Sequence, residues 1–180
     1  GAGINVLTDT SIISVSVKEG LSSDYINAIV HIDSLSTLVG TDDGVNLLIN
    51  NEVVEVLDSY NGIFKSNKIT HIAGDSNLCF GLTAKHEVFA FNVDSVFRYD
   101  SIFTSYINHQ IDDRINAIYH LNNYYWFVSD SLIYKIKANN GSINLSSKWF
   151  IKGTESLELW DDGILGYTNS NLIFLITNNL

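Results

Sequence analysis

The sequence predicts an all-β chain built from one repeated unit of short antiparallel strands, and three observations carry that expectation. First, Ile26-Asn27-Ala28-Ile29-Val30-His31 returns as Ile115-Asn116-Ala117-Ile118-Tyr119-His120, 89 positions later, with a weaker copy, Ile69-Thr70-His71-Ile72-Ala73-Gly74, between them. Second, Thr41, Thr83, Ser129 and Thr168 each end an apolar run, at spacings of 42, 46 and 39. Third, the runs alternate apolar and polar residues and are separated by turn pairs such as Asp43-Gly44 and Asn50-Asn51. A repeat of roughly 40–45 residues made of short strands is the signature of a β-propeller blade. The expected fold is therefore an all-β propeller of about four four-stranded blades, either a small closed ring or part of a larger one.

Residues 1–19 form a partial blade in this reading, with Ile4 to Asp9 and Ile12 to Val17 as its second and third strands. Blade one covers 20–61. Its strands are Tyr25 to Ile32, Thr37 to Thr41, Val45 to Ile49 and Glu52 to Leu57, joined by Asp33–Ser36, Asp42-Asp43-Gly44 and Asn50-Asn51. Blade two, 62–104, offers Lys68 to Ala73, Asn77 to Thr83, Val88 to Asn92 and Ser95 to Tyr99. Blade three, 105–151, offers Arg114 to Leu121, Tyr124 to Ser129, Leu132 to Ala138 and Ser147 to Ile151, with a longer connection over Asn139 to Asn144. Blade four, 152–180, offers Ser156 to Trp160, Gly163 to Thr168 and Leu172 to Thr177; its Leu157 follows Ile115 by 42 residues. The hydroxyl that ends each second strand can close the hairpin through a side-chain-to-backbone hydrogen bond. No segment sustains apolar spacing at i, i+3, i+4 and i+7, so no helix is expected.

Composition narrows the function classes. At 180 residues, 46% hydrophobic and 17% charged, the chain can bury a core. Its net charge of −10 repels nucleic-acid phosphate, so no nucleic-acid partner is expected. No apolar run reaches the roughly 20 residues that span a bilayer. The single cysteine, Cys79, lies in the apolar run Leu78 to Leu82 and reads as a small core residue. There is no Met and no Pro, while Asn, Ile, Tyr and Phe abound, a bias that suits an AT-rich bacterial or viral source. Without Met, Gly1 is not a retained initiator, and the reading expects a processed or partial chain. The N-terminal half-blade agrees with an open ring whose exposed faces meet further blades or a protein partner.

The segment Gly20-Leu21-Ser22-Ser23-Asp24-Tyr25-Ile26-Asn27-Ala28-Ile29, followed by Thr37-Leu38-Val39-Gly40-Thr41-Asp42-Asp43-Gly44-Val45-Asn46, resembles a repeat of the two-component-regulator propeller family. That repeat runs Gly-Leu-Ser, an apolar strand, a Trp-Ile-Gly-Thr-like strand and an Asp-Gly hairpin. Here Leu38 replaces the Trp, repeat three keeps Trp126 but has Val128-Ser129, and repeat two keeps little beyond its spacing. The resemblance implies a recognition or sensor propeller, often periplasmic and responsive to carbohydrate. It transfers a fold more safely than a ligand.

The residues themselves offer little catalytic chemistry. Asp42-Asp43, Asp112-Asp113 and Asp161-Asp162 could serve acid–base work or a hard cation, but two of these pairs sit where hairpins demand turn residues. His31 and His120 recur at one repeat position, which suits packing more than a unique active site. His71, His86 and His109 lack metal spacing, and there is no nucleophile elbow or phosphate loop. Trp126, Trp149, Trp160, Tyr124 and Tyr125 read as core or rim aromatics; on loops, such rings can stack on a sugar. The expected function is a non-enzymatic recognition module without cofactor or metal. It would be part of a larger bacterial or viral assembly, or the sensor part of a larger protein, at an extracytoplasmic or virion location. The alternative is a polysaccharide-acting propeller lyase or glycosidase. By position alone, Asp42, Asp43, Lys85, His86, Asp130 and Asn169 are the candidate binding residues, on second-to-third strand hairpins.

Overall fold

Turn chemistry sets the strand breaks. Asn50 and Asn51 take φ of 52° and 68°, and Asn122 and Asn123 take 51° and 63°. Two left-handed residues in succession make the hairpin whose twist matches that of the flanking strands, and Asn tolerates that conformation best after glycine. The computed structural model describes residues 1–61, 64–93, 97–139, 142–151, 154–160, 163–168 and 173–177. The chain divides into two compact units, residues 1–105 and 106–180.

In the first unit, β1 (Ile4–Leu7) and β2 (Ile12–Val15) form a hairpin; β3 (Ile26–His31), β4 (Ser36–Thr41), β5 (Gly44–Ile49) and β6 (Glu52–Leu57) form one four-stranded antiparallel meander. A second follows in β7 (Ile69–Gly74), β8 (Cys79–Thr83), β9 (Val88–Asn92) and β10 (Arg98–Asp100). After α1 (Ser101–Gln110), the second unit repeats the plan in β11 (Ile115–Leu121), β12 (Tyr124–Ser129), β13 (Leu132–Asn139) and β14 (Ser142–Phe150). It adds a three-stranded sheet of β15 (Thr154–Trp160), β16 (Gly163–Thr168) and β17 (Ile173–Thr177). Every sheet keeps chain order; where about four four-stranded blades were expected, three sheets have four strands and the last has three among the described residues.

A β-bulge recurs at the second residue of the first strand in all four sheets of three or four strands, where pairing skips Asn27, Thr70, Asn116 and Glu155. The repeated hexapeptide is therefore a strand start with its bulge.

The main core of the first unit lies between its two four-stranded sheets. Leu38, Val45, Leu47 and Leu57 from one side meet Ile69, Ile72, Cys79, Phe89 and Phe91 from the other, all buried. Phe64 and Phe89 stack at 4.5 Å, Phe89 and Phe91 at 5.7 Å, and Phe91 meets Phe97 edge-on at 5.6 Å. Each such side chain contributes about 1.5–3 kcal/mol on burial, which makes a stiff scaffold for the hairpins at the rim. Cys79 is fully buried as expected, and burial pushes its thiol pKa well up. In the second unit Trp126 is buried and stacks on Trp149 at 5.7 Å.

Four expectations are corrected. Ser101–Gln110 is a helix where none was foreseen. Asp100 caps it by accepting the Phe103 N–H at 2.9 Å, and Thr104 and Ile107 are buried one turn apart. Of the expected long connection over Asn139 to Asn144, the described residues are instead strand: β13 and β14 stay paired out to Asn139 and Ser142. In the last sheet Thr154, opposite Thr168, takes the place that Ile115 holds opposite Ser129, so Thr154 starts the repeat and the step is 39 residues, not 42.

The fourth correction concerns the N-terminal hairpin, which is equivalent to β5–β6 and so supplies third and fourth strands. Ile4 pairs with Val15 as Val45 pairs with Leu57. Gly3 donates its N–H to Asp24 O (3.2 Å) as Gly44 does to Asn67 O (2.8 Å). Both glycines have positive φ, 71° and 115°, and at both a Cβ would strike the carbonyl oxygen of the paired outer strand, Val15 or Leu57. The hairpin packs through Val15 and Ile4 on Leu21, Val39 and Leu48.

Candidate functional site

The second-to-third strand hairpins are where the candidate residues were expected, and one device builds the three that are described. Thr41 Oγ1 accepts the Asp43 N–H at 3.0 Å and donates to Gly44 O at 3.2 Å. Thr83 Oγ1 accepts N–H groups from Lys85 and Glu87 at 3.3 and 3.2 Å. Ser129 Oγ accepts from Ser131 and Leu132 at 3.3 and 2.9 Å. These three hydroxyls are buried, and the predicted side-chain closure of the turn is observed at each.

Beneath the first hairpin, Asn46 is fully buried and satisfied. Its Oδ1 accepts the Ser22 N–H at 2.9 Å, and its amide donates to Ser22 Oγ at 2.8 Å and Val39 O at 3.3 Å. Ser22 Oγ in turn lies 2.9 Å from Thr41 Oγ1. The Gly-Leu-Ser segment therefore has a physical role: Leu21 enters the core and Ser22 locks the hairpin base.

The acidic candidates are engaged with amides. Asp42 Oδ1 accepts from Asn27 Nδ2 at 2.8 Å and pairs with Lys68 Nζ at 3.0 Å. The Asn27 bond, then Lys68, hold its carboxyl below the usual carboxylate pKa. Asp43 Oδ1 accepts from Asn67 Nδ2 at 2.6 Å, and Asn67 Oδ1 accepts the Ser59 N–H at 2.6 Å. In repeat three Asn116 Nδ2 donates to Asp130 Oδ1 in the same manner as Asn27 to Asp42. The paired asparagines of the hexapeptide thus sit at the bulge to hold the hairpin carboxylate. Repeat two has Thr70 and Ala84 at these places, and Thr70 Oγ1 turns to Leu82 O at 3.1 Å.

Lys85 is exposed and His86 half-buried, with φ of 63° at His86 and its N–H on Thr83 O at 2.9 Å. Asp42 and Asp43 sit on the β4–β5 hairpin and are met by Asn67 and Lys68, which lead into β7 of the next repeat; Lys85 and His86 belong to the β8–β9 hairpin. Asn169, Asp161 and Asp162 lie outside the described residues. Asp113, from the third acidic pair, accepts hydrogen bonds from Tyr134 OH and Ser129 Oγ. His31 bonds Thr37 Oγ1 at 2.9 Å and His120 stacks on Tyr125 at 4.6 Å, so both recurring histidines serve their sheets. His71 lies within β7, and burial lowers its pKa.

One open groove of about 340 Å³ lies beside the first hairpin. Asp24, Tyr25, Asn27, Asp42 and Lys68 line it together with the backbone of Gly1 to Gly3. Tyr25 is 62% exposed and Lys68 reaches into solvent, so the groove offers an aromatic face beside a carboxylate, an ammonium and an amide. Sequence reasoning named Asp42 but missed Asn27, Tyr25 and Lys68. The available signals were the repeated Asn at the bulge and the long side chain just before each first strand, Tyr25, Lys68 or Arg114.

Sheets of this kind, in chain order and stacked face to face in the first unit, define an all-β protein of the propeller-like class. No protein-family model matches the sequence, and no curated protein is significantly similar to it. Solved structures are similar in fold. The extracellular domain of a putative one-component system from B. thetaiotaomicron superimposes with a TM-score of 0.73 at 11% identity, over 99% of this chain and 26% of that one. The chain thus spans about a quarter of that domain. The computationally designed Ika4 protein gives a TM-score of 0.56 at 11% identity, over 84% of this chain and 90% of that one. BBS1N, solved in complex with ARL6DN, gives 0.54 at 10% identity, over 86% and 53%. At these identities the likeness shows the fold alone, and it is to propeller-like domains.

Proposed function

We propose that the chain is a non-enzymatic recognition module, part of a larger repeat protein or assembly, that meets a protein partner at the Asp42 rim. The observation that carries this reading is the groove in which exposed Tyr25 stands beside the Asp42–Lys68 pair and the Asn27 amide. A stiff sheet holds these groups, and tyrosine next to hydrogen-bonding groups is the composition that interfaces favour. The similarity to an extracellular domain of a one-component system supports a sensor setting outside the cytoplasm, and the similarity to BBS1N supports protein recognition.

The test is mutagenesis in pairs with folding monitored by circular dichroism. Asp42→Ala/Lys68→Ala and Tyr25→Ala should reduce partner binding at least about tenfold, the usual cost of losing a central interface residue. Lys85→Ala/His86→Ala and Asp130→Ala probe the other hairpins. Undiminished binding in the Tyr25 and Asp42/Lys68 variants sinks the assignment. A turnover screen on neutral and acidic glycans, with Asp42→Asn/Asp43→Asn as control, separates this reading from the polysaccharide-acting alternative. Saturable binding of a glycan without turnover would replace the protein partner by a carbohydrate ligand.

A further inference from the structure

Ile29, Ile72 and Ile118 hold one place in three repeats, the fourth residue of the hexapeptide. Ile72 is 7% exposed and Ile118 2%, whereas Ile29 is 49% exposed. In repeat two the cover is visible. Ile69 and Ile72 lie against Gly40 of β4, where a Cβ would come within 2.8 Å of Ile69 Cγ2 and 3.1 Å of Ile72 Cδ1. The second strand of one sheet therefore covers the first strand of the next, and its glycine makes the room.

A separate observation concerns β1. Its counterparts β5 and β9 are each paired on both edges, and β5 is buried along all but its last residue. Among the described residues β1 pairs only with β2, and it alternates half-buried and exposed positions. Its cross-strand pair Leu7 and Ile12 is 77% and 67% exposed. Because β1–β2 are third and fourth strands, the neighbour that β1 lacks is a second strand. The neighbour that Ile29 lacks is also the second strand of that same sheet. Two deficits, on different strands, specify one occupant.

We propose that the free edge of β1 and the Ile29 face together form a strand-acceptor site for a further repeat of this same type. The occupant is an antiparallel strand of the second-strand pattern, apolar residues followed by a small residue opposite Ile26 and Ile29 and then Thr or Ser, as in Leu38-Val39-Gly40-Thr41. Strand addition supplies main-chain hydrogen bonds along β1, and the small residue supplies specificity. This site is independent of the Asp42 rim and stands whatever that rim binds.

The test adds a peptide reproducing residues 24–43 in trans to the full chain, and also fuses the same residues directly ahead of Gly3, so that affinity does not limit the outcome. Hydrogen exchange by NMR should slow about tenfold or more at Ile4 to Leu7, and the Ile29 methyl signals should shift. A Gly40→Val change within the added segment should abolish both effects, because its side chain meets Ile26 and Ile29. Unchanged exchange along β1 in the fused chain overturns the proposal, as does equal protection by the Gly40→Val segment. Self-association of the chain that the peptide fails to displace assigns the edge to a second copy and likewise overturns it.

Discussion

Repeats one and three solve the base of the same hairpin with different chemistry. In repeat one, Ser22, Thr41 and Asn46 form a neutral network under the turn. In repeat three, Asp113, Ser129 and Tyr134 take these roles, with the phenol and the serine hydroxyl both directed at a carboxylate. The element common to both is the hydroxyl that ends the second strand. The backbone demands that its turn N–H groups be answered, and any buried group with the right donor and acceptor count can support the hydroxyl. Repetition thus preserves a requirement for hydrogen bonding, not a set of side chains.

The largest expected effect that tests this comparison is Asn46→Leu. It strands the half-buried Ser22 N–H and takes one partner from the Ser22 hydroxyl, which keeps Thr41, at a cost of about 2–3 kcal/mol, measured by chemical denaturation and by amide exchange within β3–β6. Tyr134→Phe should cost about 1–2 kcal/mol in β11–β14. A cost equal to that of Asn46→Leu would mean that the two networks are not distinguished by the number of bonds they hold.

The two repeats should also respond differently to pH. Burial, with the Asp113 hydrogen bond and the charges of Asp113 and Asp112, raises the Tyr134 pKa. A raised phenol pKa contributes stability that is present below the unfolded value of about 10 and is lost as pH rises through the folded value. Wild type should therefore lose protection in β11–β14 at high pH, and Tyr134→Phe should remove that alkaline dependence. Repeat one, whose Asn46 does not titrate, should show none of it.

Smaller effects concern the bulge clamp. Asn27→Ala should cost only about 0.5 kcal/mol, because the bond is at the surface. It should raise the Asp42 pKa toward the ordinary value, read by NMR titration. Since that pKa is depressed in the folded chain, the clamp's stabilisation is present above about pH 3.9 and is lost as pH falls through the folded value. Installing the clamp in repeat two as Thr70→Asn/Ala84→Asp should stabilise β7–β8 by about 0.5 kcal/mol. No gain there would mean that repeat two's longer hairpin misplaces the carboxylate.

The residue pattern made some elements legible and hid others. Asn50-Asn51 and Asn122-Asn123 announced their hairpins because their conformation is a local property. The Thr and Ser at second-strand ends were legible because the bond they make spans only a few residues. Helix α1 was hidden because Ile102, Thr104 and Ile107 are β-branched and Phe103 and Tyr106 aromatic, all weak helix formers. Its cap, Asp100, also ends a strand. The N-terminal hairpin was misassigned because Val6-Leu7-Thr8-Asp9 echoes Val39-Gly40-Thr41-Asp42 in type. The decisive echo is Gly3-Ile4-Asn5-Val6 with Gly44-Val45-Asn46-Leu47. The Asp42 candidate was legible as a turn residue, but its neighbours Tyr25, Asn27 and Lys68 come from other strands and a following repeat.

By itself, the sequence determined the all-β class, the repeat length, the meander order and the turns, because strand alternation and turn conformation are written in neighbouring residues. Only the tertiary structure decided which strand of its sheet each N-terminal segment supplies, where the Asn27 and Asn116 bulges aim their amides, and that Ile29 stands uncovered while Ile72 is buried. Those outcomes depend on contacts between residues tens of positions apart, whose energies no local pattern contains.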